Sequence, residues 1–128
     1  MYNSFFANNI NGGDNANKLL LYWNIGKIVY ENRGNYLNIV EKCSTYYSYL
    51  FGNSYMFTRE NIWLMEKFYL MFPVFSPRLE NITWDQYRLL FNINDLKERY
   101  FYFYILLFFG FNYDETIDLI NNKYYLRI

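Results

Sequence analysis

The chain has 128 residues, enough for a domain whose core needs neither disulfide bonds nor metal ions. Its 12 basic and 12 acidic residues give a net charge of zero, which argues against strong autonomous binding of nucleic acid through phosphates but leaves a local basic face open. His is absent and Cys43 is the single cysteine, which excludes Ser-His and Cys-His nucleophilic pairs, Cys/His zinc sites and His-ligated haem. We expect Cys43 to be a small core residue of a cytoplasmic protein that carries no cofactor or metal ion.

The first helix is expected to follow a polar leader. Residues 1–15 are rich in Asn and Gly and are predicted to be mobile, and the helical domain is predicted to span 16–128. A largely apolar helix is predicted at about 15–32, with Gly34 as its C-terminal cap. A second helix is predicted at about 36–50, closed by Gly52 and Asn53, and its apolar positions are Leu37, Val40, Cys43 and Tyr47.

The third predicted helix has the clearest start and stop. Thr58 is placed to cap the first turn, and Pro73 ends the helix because proline has no N–H donor. Between them, apolar residues recur at spacings of three and four and form one face: Ile62, Met65, Phe68, Tyr69 and Phe72. Trp63 lies off this face, so we expect it to be exposed and to mark a partner surface. Trp23 and Trp84 are expected to be core anchors instead.

Three capping pairs predict three further helices. Thr83 with Gln86, Asp95 with Glu98 and Asn112 with Glu115 have capping-box spacing and predict helices at about 84–92, 96–109 and 113–122. The apolar run 100–109 is too short to span a membrane and is predicted to be buried. Only the last six residues, KYYLRI, offer a strand candidate. The chain is therefore predicted to be an all-α, compact single domain of about six helices, and a helix-turn-helix-like arrangement stays open.

The ordered set of these segments resembles the N-terminal helical domain of YhcG-like proteins. The likeness covers about 18–127 and includes LYWNIGKIV at 21–29, the third helix with its flanks, Trp84, Arg99-Tyr100-Phe101-Tyr102 and Tyr125-Leu126-Arg127. Where the family tends to have Trp-Ser/Gly-His, this chain has Trp84-Asp85-Gln86, so no role of that His carries over. Full members of the family carry a C-terminal PD-(D/E)xK nuclease domain. The nearest match to its site, Asp95-Leu96-Lys97, lies at a predicted helix cap, so we predict no enzymatic activity.

The candidate functional residues are cations and one tryptophan. They are Arg59, Trp63, Lys67, Arg78, Arg88, Lys97 and Arg99, which could form a binding face around the third and fourth helices. The alternative is an ordinary solvated surface balanced by Glu60, Glu66, Glu80 and Glu98. For Arg99, an ion pair within the domain is as open as a phosphate contact.

Two functions remain open. The resemblance implies a non-catalytic, nucleic-acid-associated recognition domain from a mobile-element or defence-related nuclease family, with DNA as the partner. The alternative is a protein-interaction module that binds and modulates a nuclease or defence complex, for example a phage-encoded inhibitor. Zero net charge and high aromatic content suit this second function, which predicts a stable complex or a homodimer that depends on Trp63.

Overall fold

The structure is a computed structural model that describes residues 14–75 and 81–127. Within these residues there are six α-helices and no strand, which confirms the predicted all-α class and helix number. The helices are α1 (Asp14–Glu31), α2 (Tyr36–Phe51), α3 (Arg59–Met71), α4 (Trp84–Leu90), α5 (Leu96–Phe109) and α6 (Tyr113–Asn121), and two 3-10 turns lie at Arg33–Asn35 and Tyr124–Arg127. The predicted mobile leader lies outside the described residues as far as residue 13, whereas Asp14 and Asn15 already belong to α1.

The chain divides into two compact units. We call Leu20–Phe75 the central unit, and Met1–Leu19 together with Ser76–Ile128 the terminal unit. None of the helices in the described segments combines the length and the apolar character that crossing a membrane requires.

The central unit is held together by a close approach of α1 to α3 and by buried side chains of all three helices. At Gly26 an added Cβ would overlap the carbonyl group of Met65, so only glycine allows the backbones to come this near. The indole N–H of Trp23 donates to the Phe72 carbonyl at 2.8 Å, which satisfies a group at the end of α3. The buried apolar residues of this unit are Leu21, Tyr22, Ile25, Val29, Val40, Cys43, Tyr47, Phe57, Ile62, Met65, Phe68 and Phe72.

Helix boundaries in the central unit follow the predicted caps with one exception. The Thr58 hydroxyl oxygen accepts from the Asn61 amide at 3.2 Å, and α3 ends at Met71, just before Pro73. Gly52 adopts the left-handed conformation after α2, with φ 63°. Gly34 does not: it lies in the Arg33–Asn35 turn without a positive φ, so the prediction that it caps the first helix is wrong. The short 3-10 turn carries the chain directly into α2 instead.

In the terminal unit, one buried amide joins two helix starts. Thr83 and Gln86 form the predicted capping box of α4, and Asn112 and Glu115 form that of α6. The Gln86 side-chain nitrogen also donates to the Phe111 carbonyl at 2.7 Å and to the Thr116 hydroxyl at 3.0 Å. Gln86 is 2 % exposed, so these bonds form away from water and tie the start of α4 to the start of α6.

The predictions for α5 and for the C-terminal residues need correction. Asp95 accepts from the Glu98 amide, and Gly110 ends the helix with φ 67°, as the sequence predicts. However, α5 is buried on one face only: Tyr102, Phe103 and Leu106 are buried, whereas Tyr104 and Phe108 are exposed. The C-terminal residues form the Tyr124–Arg127 3-10 turn rather than a strand, because no described strand offers them a partner.

Candidate partner-binding surface

The outer side of α3 carries an exposed tryptophan among charged residues. Ile62, Met65, Glu66 and Phe68 point into the central unit, so the residues between them face outward. Trp63 is 44 % exposed and Leu70 is 47 % exposed. We define the Trp63 face as Arg59, Glu60, Trp63, Lys67 and Leu70, each of which lies three or four positions from another member.

One cation of the Trp63 face is paired with a carboxylate of α2. The Arg59 Nε lies 2.9 Å from Glu41 Oε2, and both side chains are more than half exposed. A solvated pair of this kind contributes about 0–1 kcal/mol to stability, so its larger effect is on the local potential. Glu41 neutralises the first cation of the face and leaves Lys67 as its remaining basic group.

Glu66 differs from its predicted role as a solvated counter-charge. Its side chain is buried, and Arg33 Nη1 donates to its Oε2 at 3.1 Å. The Arg33 guanidinium also lies 5.7 Å from the centre of the Tyr30 ring, within range of a cation–π contact. The Glu66 carboxylate therefore stabilises the central unit from inside and does not belong to the outer face.

The remaining predicted cations lie in the terminal unit or outside the description. Arg78 lies outside the described residues. Arg88 Nη1 is 4.0 Å from Asp85 Oδ1 one turn earlier on α4, at the limit of an ion pair. Lys97 is exposed in the first turn of α5. Neither cation belongs to the Trp63 face.

Arg99 is a buried residue of the terminal unit. It is 7 % exposed, and its Nη1 donates to the Ile93 carbonyl at 2.8 Å. No carboxylate of residues 14–75 or 81–127 lies within ion-pair distance of it. The guanidinium thus holds the turn before α5 and offers little surface to a phosphate.

Sequence reasoning missed the partners that shape the Trp63 face. Glu41 lies on α2, 18 positions before Arg59, and no local spacing signals that the two side chains meet. Leu70 was a detectable member, because it follows Trp63 by seven positions and therefore shares its side of the helix.

The described residues give no sign of a metal or thiol site. They contain no group of three or more Cys, Asp or Glu side chains able to hold a metal ion. Burial raises the pKa of the Cys43 thiol to about 11, which keeps it protonated and unreactive at neutral pH. Cys43 is a buried free cysteine, as the sequence predicts.

Comparison with known proteins identifies the family through its domain model. No curated protein matches the chain, and no solved structure does. The family model described as the DUF1016 N-terminal domain matches residues 8–127, which include every helix and 3-10 turn described above. This match confirms the resemblance to YhcG-like N-terminal domains, and the chain belongs to the DUF1016 N-terminal domain family.

Proposed function

We propose that this chain is a non-catalytic interaction module that binds a protein partner through the Trp63 face. The observation that carries the proposal is the 44 % exposure of Trp63 in the middle of a helix whose opposite side, with Ile62, Met65 and Phe68, is fully buried. An indole exposed to water contributes to binding when a partner covers it, and tryptophan is enriched among the residues that dominate protein interfaces. Leu70 extends the apolar centre, and the flanking charges form a polar rim.

The charge of the central unit supports a protein partner. Its cations are Lys27, Arg33, Lys42, Arg59 and Lys67, and its carboxylates are Glu31, Glu41, Glu60 and Glu66. The five cations and four carboxylates therefore leave the central unit with a net charge of only +1. Phosphate binding depends on an excess of positive charge, whereas a protein interface needs only complementary charges of both signs. In the context of the family, a nuclease is the partner class that we propose.

Nucleic acid is the second candidate, and one observation favours it. Arg59, Trp63 and Lys67 recur every four residues along α3, so the indole ring lies between two cations. Single-stranded nucleic acid binds such rows, because bases stack on the ring while cations contact the backbone. Arg59 would have to leave Glu41 to take part.

Titration against two probes separates the candidates. The first probe is a purified full-length YhcG-like nuclease, whose binding is measured by calorimetry. The second is fluorescently labelled DNA in single-stranded, duplex and branched forms, whose binding is measured by fluorescence. We expect binding to the nuclease that Trp63→Ala weakens about 30-fold or more, as for a residue contributing about 2 kcal/mol. Tyr49→Ala is the matched control, because Tyr49 is 88 % exposed on α2 and lies outside the Trp63 face.

The outcomes are distinct. Nuclease binding that is unchanged by Trp63→Ala would refute a role of this face. DNA binding that is lost with Trp63→Ala and falls steeply between about 50 and 200 mM salt would replace the protein partner by nucleic acid.

A further inference from the structure

From Tyr100 to Phe109, helix α5 is apolar around its whole circumference, yet only one side of it is buried. Tyr102, Phe103 and Leu106 are buried in the terminal unit. Away from these residues, Tyr104 is 50 % and Phe108 73 % exposed, and Leu96 at the start of the helix is 58 % exposed. A helix that is hydrophobic on all sides is normally enclosed on all sides. Among residues 14–75 and 81–127, nothing therefore covers the outer side of α5.

Three exposed side chains and the half-buried Tyr100 form an ordered row. Leu96, Tyr100, Tyr104 and Phe108 recur every four residues, and we call this set the α5 row. The ring centres of Tyr100 and Tyr104 are 6.3 Å apart, and those of Tyr104 and Phe108 are 6.1 Å apart with nearly parallel planes. Because neighbouring rings already hold one another, binding would cost little additional side-chain entropy.

The charge pattern around the α5 row is unusual for a surface. No residue from Tyr100 to Tyr113 is charged, which covers three turns of α5 and the loop after it. Lys97, next to Leu96 in the first turn, is the exposed cation of α5, whereas Arg99 is buried. The last turn of α5 contains no basic residue, so the partial negative charge of its terminal carbonyls has no cation of its own helix nearby.

We infer that the α5 row binds the α5 row of a second copy, with the two helices antiparallel, and that the chain forms a symmetric dimer. A twofold axis pairs the same patch with itself, so a patch without charges pairs with no repulsion. With Tyr104 near the axis, Lys97 of each copy lies beside the C-terminal end of the other α5, where a cation is favourable. The arrangement supplies to each helix end the cation that it lacks.

The exposed area is sufficient for this pairing. From the exposed fractions, the α5 row and the partly exposed apolar residues beside it offer roughly 500 Å² per copy, so a dimer would bury roughly 1,000 Å² in total. This is the lower end of specific interfaces, and we expect dissociation constants in the micromolar range. The inference does not depend on the Trp63 face, which lies in the other unit.

Sedimentation velocity over a micromolar concentration series tests the dimer. We expect the wild-type chain to approach the mass of two copies, and the double variant Tyr104→Glu/Phe108→Glu to weaken dimerisation at least about a hundredfold, since it places four carboxylates in one apolar interface. Tyr49→Glu is the matched control and should dimerise as wild type, and so should Trp63→Ala. A wild-type chain that stays single, or a double variant that dimerises unchanged, would overturn the inference.

Disulfide trapping gives a second test that does not rely on a charged variant. Tyr104→Cys should form an intermolecular disulfide under mild oxidation at concentrations where the wild type is dimeric, and Tyr49→Cys should not. The wild type is its own control, because Cys43 is buried and its pKa is raised. Equal trapping at both positions, or none at Tyr104→Cys, would contradict the antiparallel arrangement. Co-flotation of a single-copy wild-type chain with phosphatidylcholine vesicles would assign the α5 row to a lipid surface instead.

Discussion

Gln86 illustrates how one residue can replace the chemistry of another in the same place. It occupies the position at which YhcG-like N-terminal domains tend to have His. Its oxygen accepts from the Thr83 amide at 2.9 Å, and its nitrogen donates to the Phe111 carbonyl and the Thr116 hydroxyl. A neutral imidazole also presents one acceptor and one donor on opposite sides of a planar group. The contacts of Gln86 therefore suggest a structural role for this position rather than a catalytic one.

Removing this amide should destabilise the fold. Gln86→Ala deletes one side of a capping box and leaves the buried Thr116 hydroxyl and Phe111 carbonyl without the amide, so we expect a loss of about 2–4 kcal/mol in the free energy of unfolding. Gln86→His should keep more than half of the free energy of unfolding that Gln86→Ala loses. Chemical denaturation measures both, and equal losses for the two variants would contradict the interpretation.

The buried tyrosine of α4 makes stability depend on alkaline pH. Tyr87 is fully buried, and burial, followed by the neighbouring Tyr100, raises the pKa of its hydroxyl. In the unfolded chain the phenol ionises near its ordinary pKa of about 10. The stability contributed by the protonated form is therefore complete below about pH 10 and is lost as the pH rises above it, by up to about 1.4 kcal/mol per pH unit.

This pH effect can be assigned to Tyr87 by substitution. We expect the melting temperature to fall between about pH 9.5 and 11, and Tyr87→Phe to make the fall shallower, because phenylalanine cannot ionise. Tyr55→Phe is the control: Tyr55 is 89 % exposed, and its loss should leave the slope unchanged. The same slope in wild type and Tyr87→Phe would show that other groups control the alkaline transition.

At the scale of the elements, the sequence predicted helix ends well because they depend on local contacts. Thr58, Thr83 and Asn112 bond to amides three residues away, and Gly52 and Gly110 adopt their left-handed conformation next to the helix that they end. Gly34 carries the same residue type but lies in a 3-10 turn, because the next helix begins two residues later. A local rule could not reveal that difference.

Tertiary contacts were the part that the sequence could not predict. The apolar composition of α5 indicated burial, but composition does not say how many neighbours are present to cover a helix. Likewise, the family segments turn out to hold the fold: Trp23 bonds to Phe72, and the Tyr102 hydroxyl accepts from the Tyr125 amide at 3.1 Å. The residues that carried the resemblance therefore report architecture, which explains why they pointed to a family more clearly than to an activity.

The contact between α1 and α3 gives a prediction at this scale. Gly26→Ala should destabilise the chain by about 1–3 kcal/mol, because the new methyl group would overlap the Met65 carbonyl and force two helices apart. In an isolated helix the same change would be stabilising by about 1 kcal/mol, so the sign itself tests the contact. Gly34→Ala meets nothing within 4 Å and should be neutral or slightly stabilising. Thermal unfolding of the two variants measures the difference. A Gly26→Ala variant as stable as the wild type would refute the close approach of α1 and α3.

At the scale of the whole molecule, the balance of charge limits how this chain can bind. Its 12 cations and 12 carboxylates cancel, and several of them form ion pairs with each other: Arg59–Glu41, Arg33–Glu66 and Lys18–Asp14. The exposed aromatic surface includes Trp63 in the central unit and the α5 row in the terminal unit. Association through such surfaces is driven by burial of apolar area, so it does not require charges of opposite sign and strengthens with the area that is covered.

Salt should therefore have little effect on association of the chain with itself. Burial of the α5 row does not depend on ionic strength, and the only charged contact that we assign to the dimer, Lys97 at a helix end, contributes about 0.3–1 kcal/mol. We expect the dissociation constant to rise no more than about fivefold between about 50 and 500 mM NaCl. Lys97→Met should remove even this dependence, because it keeps the apolar stem and deletes the charge. Sedimentation equilibrium measures both constants. Weakening by a hundredfold or more with salt would mean that charges, and not the aromatic row, hold the copies together.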